Sequence, residues 1–484
     1  MILTSRTFVI YATKVTKVNQ TKHFEEKHGD EGQDLTRGNI TKQMWALAWP
    51  MMLSMLFYTL YNLVDAFWVS KLSAEAIAAV SISQIALFIM ISLGFGITVG
   101  SGVIMSMHIG AKDIKGAEKV LGQAFVLAAI AGLFFTVISL LFRNHLLVAS
   151  GAAGAIFDPA LEYFTITAGG SVLFFILITI MFVFNAQGDT FTLTKLFALS
   201  TLVNLVMDPL LIFGWFGLPE LGISGAAYAT LTSQLVFNIV ALRTLANEKR
   251  RIRFHPANLN IQWESVKKVL NIGIPAAFTQ VVFPVGLAAL TYITSLGFLE
   301  AGAIAFSLGF RVEFFAFLPA VGFGFAAMAM MGQNVGAGNF ERAREAFNKA
   351  LKYGVAGASG VGILVAVFAS LVVGIFTQDP VVTDYARSYM WTVALSYGFL
   401  AAIMVEANAF QAIDRSWPGF WIFIIRMMVV AIPMAYVGTQ IFQWPIIGVW
   451  GSVVAGNVVA AVVGYVWIRR SLDVITLREA PVHK

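Results

Sequence analysis

The sequence predicts an all-α integral membrane protein in which twelve transmembrane helices form two six-helix lobes. Only 12% of the 484 residues are charged, against roughly 25% in an ordinary soluble domain, and the mean hydropathy is +0.79. This composition excludes soluble enzymes, nucleic-acid binders and secreted disulfide scaffolds. Several uncharged runs also exceed the ~20 apolar residues that cross a bilayer as a helix: 76–111, 120–142, 163–188, 269–299, 314–340 and 427–468.

The basic residues predict the orientation of the spans. With both termini on one side, 27 of the 32 Lys and Arg residues fall on that side, and only Lys71, Arg143 and Arg387 fall on the other. Because cytoplasmic loops carry such an excess, we expect both termini in the cytoplasm and a multi-pass protein of the cell inner membrane. The twelve spans are predicted at 44–70, 76–107, 119–142, 161–187, 192–215, 221–243, 267–297, 302–333, 348–376, 385–411, 417–441 and 446–468.

The two halves of the chain repeat each other. Pro50 and Glu75 recur as Pro275 and Glu300, 225 residues later. Since each half contains an even number of spans, both halves enter the membrane from the same side, and the repeat is a parallel pseudo-twofold about the membrane normal. Two such lobes around a central cleft are typical of alternating-access transporters. We expect a cytoplasmic N-terminal tail at 1–38, the N-lobe at 39–245, a cytoplasmic linker at 246–265, the C-lobe at 266–470 and a C-terminal tail at 471–484.

Two carboxylates inside predicted spans are the first candidates for a functional site, because charged residues at membrane depth are costly and usually functional. Asp65 lies four residues after Tyr61 in the first span, and Asp208 lies four residues after Asn204 in the fifth. This spacing places each pair on one helix face. Two carboxylates in a medium of low dielectric constant cannot both be charged cheaply, so we expect the pair to bind a proton or Na⁺. The alternative is that Asp65, which is near a helix end, faces water.

The repeat is broken at this cluster. The positions that correspond to the two carboxylates in the C-terminal half are apolar, Leu290 and Ile432. Pro50, fifteen residues before Asp65, removes a backbone hydrogen bond, and we expect the first helix to bend there as the carboxylate changes its charge.

A second set of polar residues is predicted to be buried in the C-lobe, either as salt bridges across helices or as part of the transport path. This C-lobe set is Arg311, Glu313, Glu406 and Arg426. Asn185, at the end of the fourth span, is expected mainly to serve a cap and turn with Gln187 and Asp189.

The chain has no cysteine and six scattered histidines. We therefore expect no cofactor, no metal site beyond Na⁺ at the aspartate pair, and a monomer whose partners are lipids and small molecules rather than nucleic acid.

Several motifs resemble the multidrug and toxic compound extrusion (MATE) family over residues 38–470. They lie at 47–50, 60–69, 185–190, 208–214, 225–230 and 332–338. The resemblance implies a secondary antiporter that exports organic cations and amphipathic drugs in exchange for H⁺ or Na⁺. It also implies an N-lobe site of Tyr61, Asp65, Asn204, Asp208 and Thr230.

The aspartate pair is similar to the DNA-damage-inducible (DinF-type) branch of that family. The NorM-type branch has an acidic residue in its seventh helix, and the corresponding segment here, 275–280, contains none. In the C-lobe, Asp414 takes the place of Gly188 in the repeat.

Two other functions would require different features of the sequence. A lipid-linked oligosaccharide or peptidoglycan-precursor flippase of related fold would need a cationic cavity and often has fourteen spans. An intramembrane enzyme would need a metal motif or a nucleophile with a base, and the spans contain neither. Twelve spans and an acidic site favour export of cations by a protein that is not an enzyme.

Overall fold

A computed structural model describes residues 32–479, and all regular secondary structure in that range is helical. Short 3₁₀ turns lie at Gly154–Ile156, Trp215–Gly217, Pro256–Leu259 and Ala394–Ser396, and a π-helix at Ile425–Ala431. The α-helices are α1 Ile40–Val69, α2 Ala74–Gly110, α3 Ile114–Ala149, α4 Phe157–Gly169, α5 Ser171–Ala186, α6 Thr190–Ile212, α7 Gly222–Leu245, α8 Trp263–Gly336, α9 Phe340–Val367, α10 Ala369–Phe376, α11 Pro380–Val393, α12 Tyr397–Ala412, α13 Ser416–Ile424, α14 Ile432–Gln440 and α15 Ile446–Glu479.

These helices account for the twelve predicted spans. In the described chain nine helical segments are long and apolar enough to cross a membrane, and α4 with α5, bent by 54°, forms a tenth span. The remaining two are α2, an unbroken helix of 37 residues, and the second half of α8. The backbone of α8 leaves helical geometry at Phe298 and Leu299, which divides it into the predicted seventh and eighth spans. The structure confirms the order of the spans.

Both lobes interrupt the same span. In the N-lobe the fourth span breaks at Gly170, between α4 and α5, and in the C-lobe its counterpart breaks at Ala394–Ser396, between α11 and α12. Pro50 and Pro275 lie inside α1 and α8. The turn residues Gly188 and Asp414 have φ of 72° and 57°. Asp tolerates this left-handed conformation better than most residues, which explains how it can replace glycine in the repeat.

The lobes approach each other most closely near one end of the bundle, where α1 begins and α2 ends. We call this the basic end, because it contains Lys112, the connection 246–262 with its four Lys and Arg residues, and the start of α9 with Arg342 and Arg344. A Cβ atom on Gly96 would lie 2.0 Å from the carbonyl oxygen of Gly273, and one on Gly110 would lie 1.8 Å from that of Gln333. Small residues allow helix backbones to approach in this way, so glycine holds α2 of one lobe against α8 of the other.

The described part of the expected N-terminal tail is packed rather than free. Leu35 is fully buried, its N–H donates to Gln333 Oε1 at 3.1 Å, and its carbonyl accepts from Asn334 Nδ2 at 3.0 Å and Arg342 Nε at 3.2 Å. Residues 1–31 of that segment lie outside the described residues. At the other terminus α15 continues to Glu479, well into the expected tail 471–484, of which 480–484 are not described.

The glycine contact leads to a prediction about stability. Gly110→Ala should lower the free energy of unfolding by about 1–3 kcal/mol, the usual range for overpacking, because its Cβ would overlap the Gln333 carbonyl. Thermal unfolding in detergent measures this. The matched control is Gly360→Ala on α9, where a Cβ would meet no atom within 4 Å and the helix should be slightly more stable. Equal midpoints for the two variants would contradict the assignment.

Candidate functional site

The carboxylates of Asp65 and Asp208 lie together in the interior of the N-lobe. Asp65 is on α1 and Asp208 on α6, each four residues before the end of its helix. Asp65 is 2% exposed and Asp208 is 0% exposed, and Asp65 is close enough for its charge to act on Asp208. The alternative in which Asp65 faces water is therefore wrong. Asn204, also on α6, donates from Nδ2 to Asp208 Oδ1 at 3.1 Å, as expected for residues four apart on one helix face.

Hydroxyl groups from two further helices complete the cluster. Ser233 on α7 donates to the Tyr61 hydroxyl at 3.4 Å. The Thr230 side chain lies near the hydroxyls of both Tyr61 and Tyr163. The structure thus brings together all five residues proposed for the N-lobe site, Tyr61, Asp65, Asn204, Asp208 and Thr230.

Two members of the cluster were missed from the sequence. Tyr163 is buried on α4, close enough to both carboxylates for their charges to act on it. Neither Tyr163 nor Ser233 is charged or forms an i, i+4 pair with an acidic residue, so their spacing gave no signal. The sequence predicted a single span at 161–187, whereas the structure divides it into α4 and α5. This break is what sets α4, the helix that carries Tyr163, apart from the rest of the span.

The cluster contains several buried oxygens that lack a donor. Asp65 Oδ1, Asp208 Oδ2 and Asn204 Oδ1 have no hydrogen-bond partner among the described residues. Burying such acceptors without a partner is unfavourable, and a bound proton or a small cation with oxygen ligands would satisfy them. Over residues 32–479 no group of three or more His, Asp or Glu side chains could hold a metal ion. The carboxylate and amide oxygens that lack a donor fit a proton or a small cation such as Na⁺.

The polar set expected in the C-lobe does not form one site. Glu313 and Arg426 form a buried ion pair, with Oε1 and Nη2 3.6 Å apart. The Tyr389 hydroxyl donates to Glu313 Oε2 at 2.7 Å, and Arg426 Nε donates to Asn457 Oδ1 at 2.7 Å. Arg311 was predicted to be buried with them, and this is wrong: its side chain is exposed, because two residues along a helix turn it to a different face.

Glu406 of the C-lobe set and Asn185 of the N-lobe lie apart from this ion pair. Glu406 on α12 is fully buried, and neither carboxylate oxygen has a partner among the described residues. Asn185 donates from Nδ2 to the Phe325 carbonyl of the other lobe at 3.3 Å. Nearby, Asp189 caps α6 by accepting from the Thr192 N–H, and it also binds Arg250. The cap and turn expected around Asp189 are thus present.

The MatE family model matches residues 50–210 and 275–437. The protein belongs to the MatE family. This confirms the family that its motifs resemble, and it identifies a multi-pass membrane transporter of the multidrug efflux type rather than an enzyme. The two matched stretches begin at Pro50 and Pro275, the pair of prolines that the internal repeat superposes.

Curated relatives and solved structures agree with this assignment. The probable multidrug resistance protein NorM of Thermotoga maritima is 26% identical over 423 residues, covering 86% of this chain and 89% of that protein. The FAD transporter of Shewanella oneidensis is 26% identical over 418 residues, covering 86% of this chain and 91% of the relative. An outward-facing structure of a multidrug resistance MATE family transporter superposes with a TM-score of 0.86 at 27% identity, covering 93% of this chain and 99% of that one.

The C-lobe ion pair of this MatE transporter predicts a pattern of stabilities. Glu313→Leu should cost about 3–5 kcal/mol, because removing one partner leaves the other charge buried and unpaired. The double variant Glu313→Leu with Arg426→Met should recover much of this loss. Arg311→Met is the control, because an exposed side chain should change stability by less than about 0.5 kcal/mol. Unfolding in detergent measures all of them, and a double variant no more stable than Glu313→Leu would argue against a structural pair.

Proposed function

We propose that this MatE transporter exports organic cations and amphipathic drugs in exchange for H⁺ or Na⁺, by alternating access, with Asp65 and Asp208 as the coupling site. The observation that supports this is the burial of two adjacent carboxylates that form no ion pair in the described chain. Asn204, Tyr61 and Thr230 are proposed to supply the polar groups around them.

Exchange follows from competition for the same negative charge. Two carboxylates that interact at low dielectric constant repel each other, and this repulsion is relieved when either a proton or a cation binds. An organic cation that reaches the pair relieves it in the same way. Since both ligands neutralise one site, binding of one favours release of the other, which is the requirement for antiport.

The orientation and state of the protein are part of the proposal. We place the basic end in the cytoplasm, with both termini there, because of the excess of Lys and Arg in its connections. The glycine contacts between α2 and α8 close that end, and a structural neighbour is described as outward-facing. The conformation described is therefore assigned to the state that is closed toward the cytoplasm. We expect the protein to act as a monomer in the inner membrane, surrounded by lipids.

The relatives differ in the substrates that their names give: one is a probable multidrug resistance protein and another is an FAD transporter. FAD and lipid-linked pyrophosphates are anions and would require positive charge in the path. In the described spans the buried cation Arg426 is already neutralised by Glu313 and Arg311 is an exposed cation of the C-lobe, whereas the buried, unpaired charges of the N-lobe site are acidic. This favours cations over a flippase function.

The test is transport by protein reconstituted in liposomes, with a pH gradient and a Na⁺ gradient imposed separately. Efflux of a fluorescent cation should depend on one gradient in the wild type and fall at least about tenfold in Asp65→Asn and Asp208→Asn. Asp384→Asn, an exposed carboxylate on α11, is the control and should match the wild type. Coupled efflux that survives in both site variants would refute the site, and transport of a lipid-linked sugar without drug efflux would refute the function.

A further inference from the structure

Helix α6 is attached to α1 by a series of threonine hydroxyls. Thr194 Oγ1 lies 2.7 Å from the carbonyl oxygen of Pro50, Thr201 Oγ1 lies 3.1 Å from that of Phe57, and Thr190 Oγ1 lies 3.4 Å from that of Ala46. Each of these contacts joins residues 144 apart in the chain. We call Thr190, Thr194 and Thr201 the threonine ladder.

The constant separation fixes the register of two parallel helices. Continued along α1 and α6 to the coupling site, the same register places Asp65 level with residue 209, one position from Asp208. The ladder therefore lies on the same helix–helix seam as the carboxylate pair, between the basic end and the site. A shift of α1 against α6 would change both the ladder contacts and the relation of Asp65 to Asp208.

Proline explains why the ladder meets α1 where it does. Pro50 has no N–H, so the carbonyl of Ala46 lacks its usual donor four residues later, and the hydroxyl of Thr190 lies nearest to it. One turn further along, the Pro50 carbonyl is within 2.7 Å of Thr194 Oγ1 and 2.9 Å of Ser54 Oγ, and these two hydroxyls are 2.9 Å apart. The bend-prone turn of α1 is therefore the part most closely attached to α6.

The ladder bonds can also be exchanged at little cost. Thr194 Oγ1 lies 2.9 Å from the Thr190 carbonyl of its own helix, and Thr201 Oγ1 lies 2.9 Å from that of Phe197. A hydroxyl has only one proton to donate, so Thr194 and Thr201 each bond either α1 or α6 at a given moment. When α1 moves away, the proton can turn to the carbonyl within α6, and no donor is left unsatisfied in the membrane interior.

The C-lobe provides a natural comparison. Pro275 is retained there, and Thr279, which corresponds to Ser54, donates to the Pro275 carbonyl at 2.9 Å. In the span that corresponds to α6, Ser416 takes the place of Thr190, but residues 417–438 contain no serine or threonine, so Thr194 and Thr201 have no hydroxyl counterpart. The lobe without the aspartate pair is thus also the lobe without these two hydroxyls.

We propose that Thr194 and Thr201 are positioning residues for ion coupling: they hold α1 in the register that sets Asp65 beside Asp208, and they release it by turning to their own helix. The proposal rests on the proposed function of the aspartate pair. It assigns these threonines to the ion-dependent movement of α1 and gives them no contact with the drug.

The experiment compares Thr194→Val, Thr201→Val and the double variant with the wild type in liposomes. Valine keeps the branched shape but removes the hydroxyl, and serine at the same positions restores it. The ion concentration for half-maximal drug efflux should shift at least about fivefold in the double variant and return toward the wild type with serine. Binding of the fluorescent cation to detergent-solubilised protein should change less than about twofold. Thr279→Val is the matched control, because it removes a hydroxyl bonded within its own helix, and it should leave the ion dependence unchanged.

The outcomes separate this proposal from the one on which it rests. If Asp65→Asn and Asp208→Asn leave coupling intact, the proposed function fails. If those variants abolish coupling while the double valine variant keeps the wild-type ion dependence, the ladder proposal alone fails. It also fails if drug binding falls as much as efflux, or if Thr279→Val produces the same shift. Thr201→Val, at a partly buried position, provides the comparison should Thr194→Val not fold.

Discussion

The interaction on which the rest of the structure depends is the repulsion between two carboxylates buried without a counter-charge. In bulk water two charges 4 Å apart interact by about 1 kcal/mol, but at an effective dielectric constant of 20 the energy is about 4 kcal/mol. Asp65 and Asp208 are buried, so the pair is costly unless it holds a positive ion. In the proposed mechanism this cost makes the N-lobe responsive to an ion gradient, a response that a neighbouring arginine such as Arg426 would remove by neutralising the pair permanently.

Such a site works only if the helices that carry it are held in register and can also move. The close glycine contacts between α2 and α8 hold the lobes together at the basic end, while the contacts between α1 and α6 are hydroxyl bonds with a second acceptor available. The first type of contact is steric and resists displacement. The second can be exchanged, so movement is easier along the seam of α1 and α6 than at the lobe interface.

The sequence predicted the spans and the carboxylate pair well, for a physical reason. In a membrane the backbone must satisfy its own hydrogen bonds, so an apolar run is a helix, and a charge within it stands out. Asp65 and Asp208 were found in this way. The exposure of Arg311 could not be found, because charge alone does not tell which way a helix face points. Tyr163 was missed because an uncharged residue in an apolar run becomes part of a site only through tertiary contacts.

The repeat separates what the fold requires from what coupling requires. Pro50 and Pro275, and the interruptions of the fourth span, are present in both lobes, so they belong to the architecture. The aspartates and the threonine ladder are present in one lobe, while the C-lobe contains a neutral ion pair and an apolar counterpart of α6. A proline bend that is shared by both lobes cannot by itself be the coupling device. On our proposal, ion sensitivity arises where α1 is attached near Pro50, by exchangeable bonds, to the helix that carries the second carboxylate.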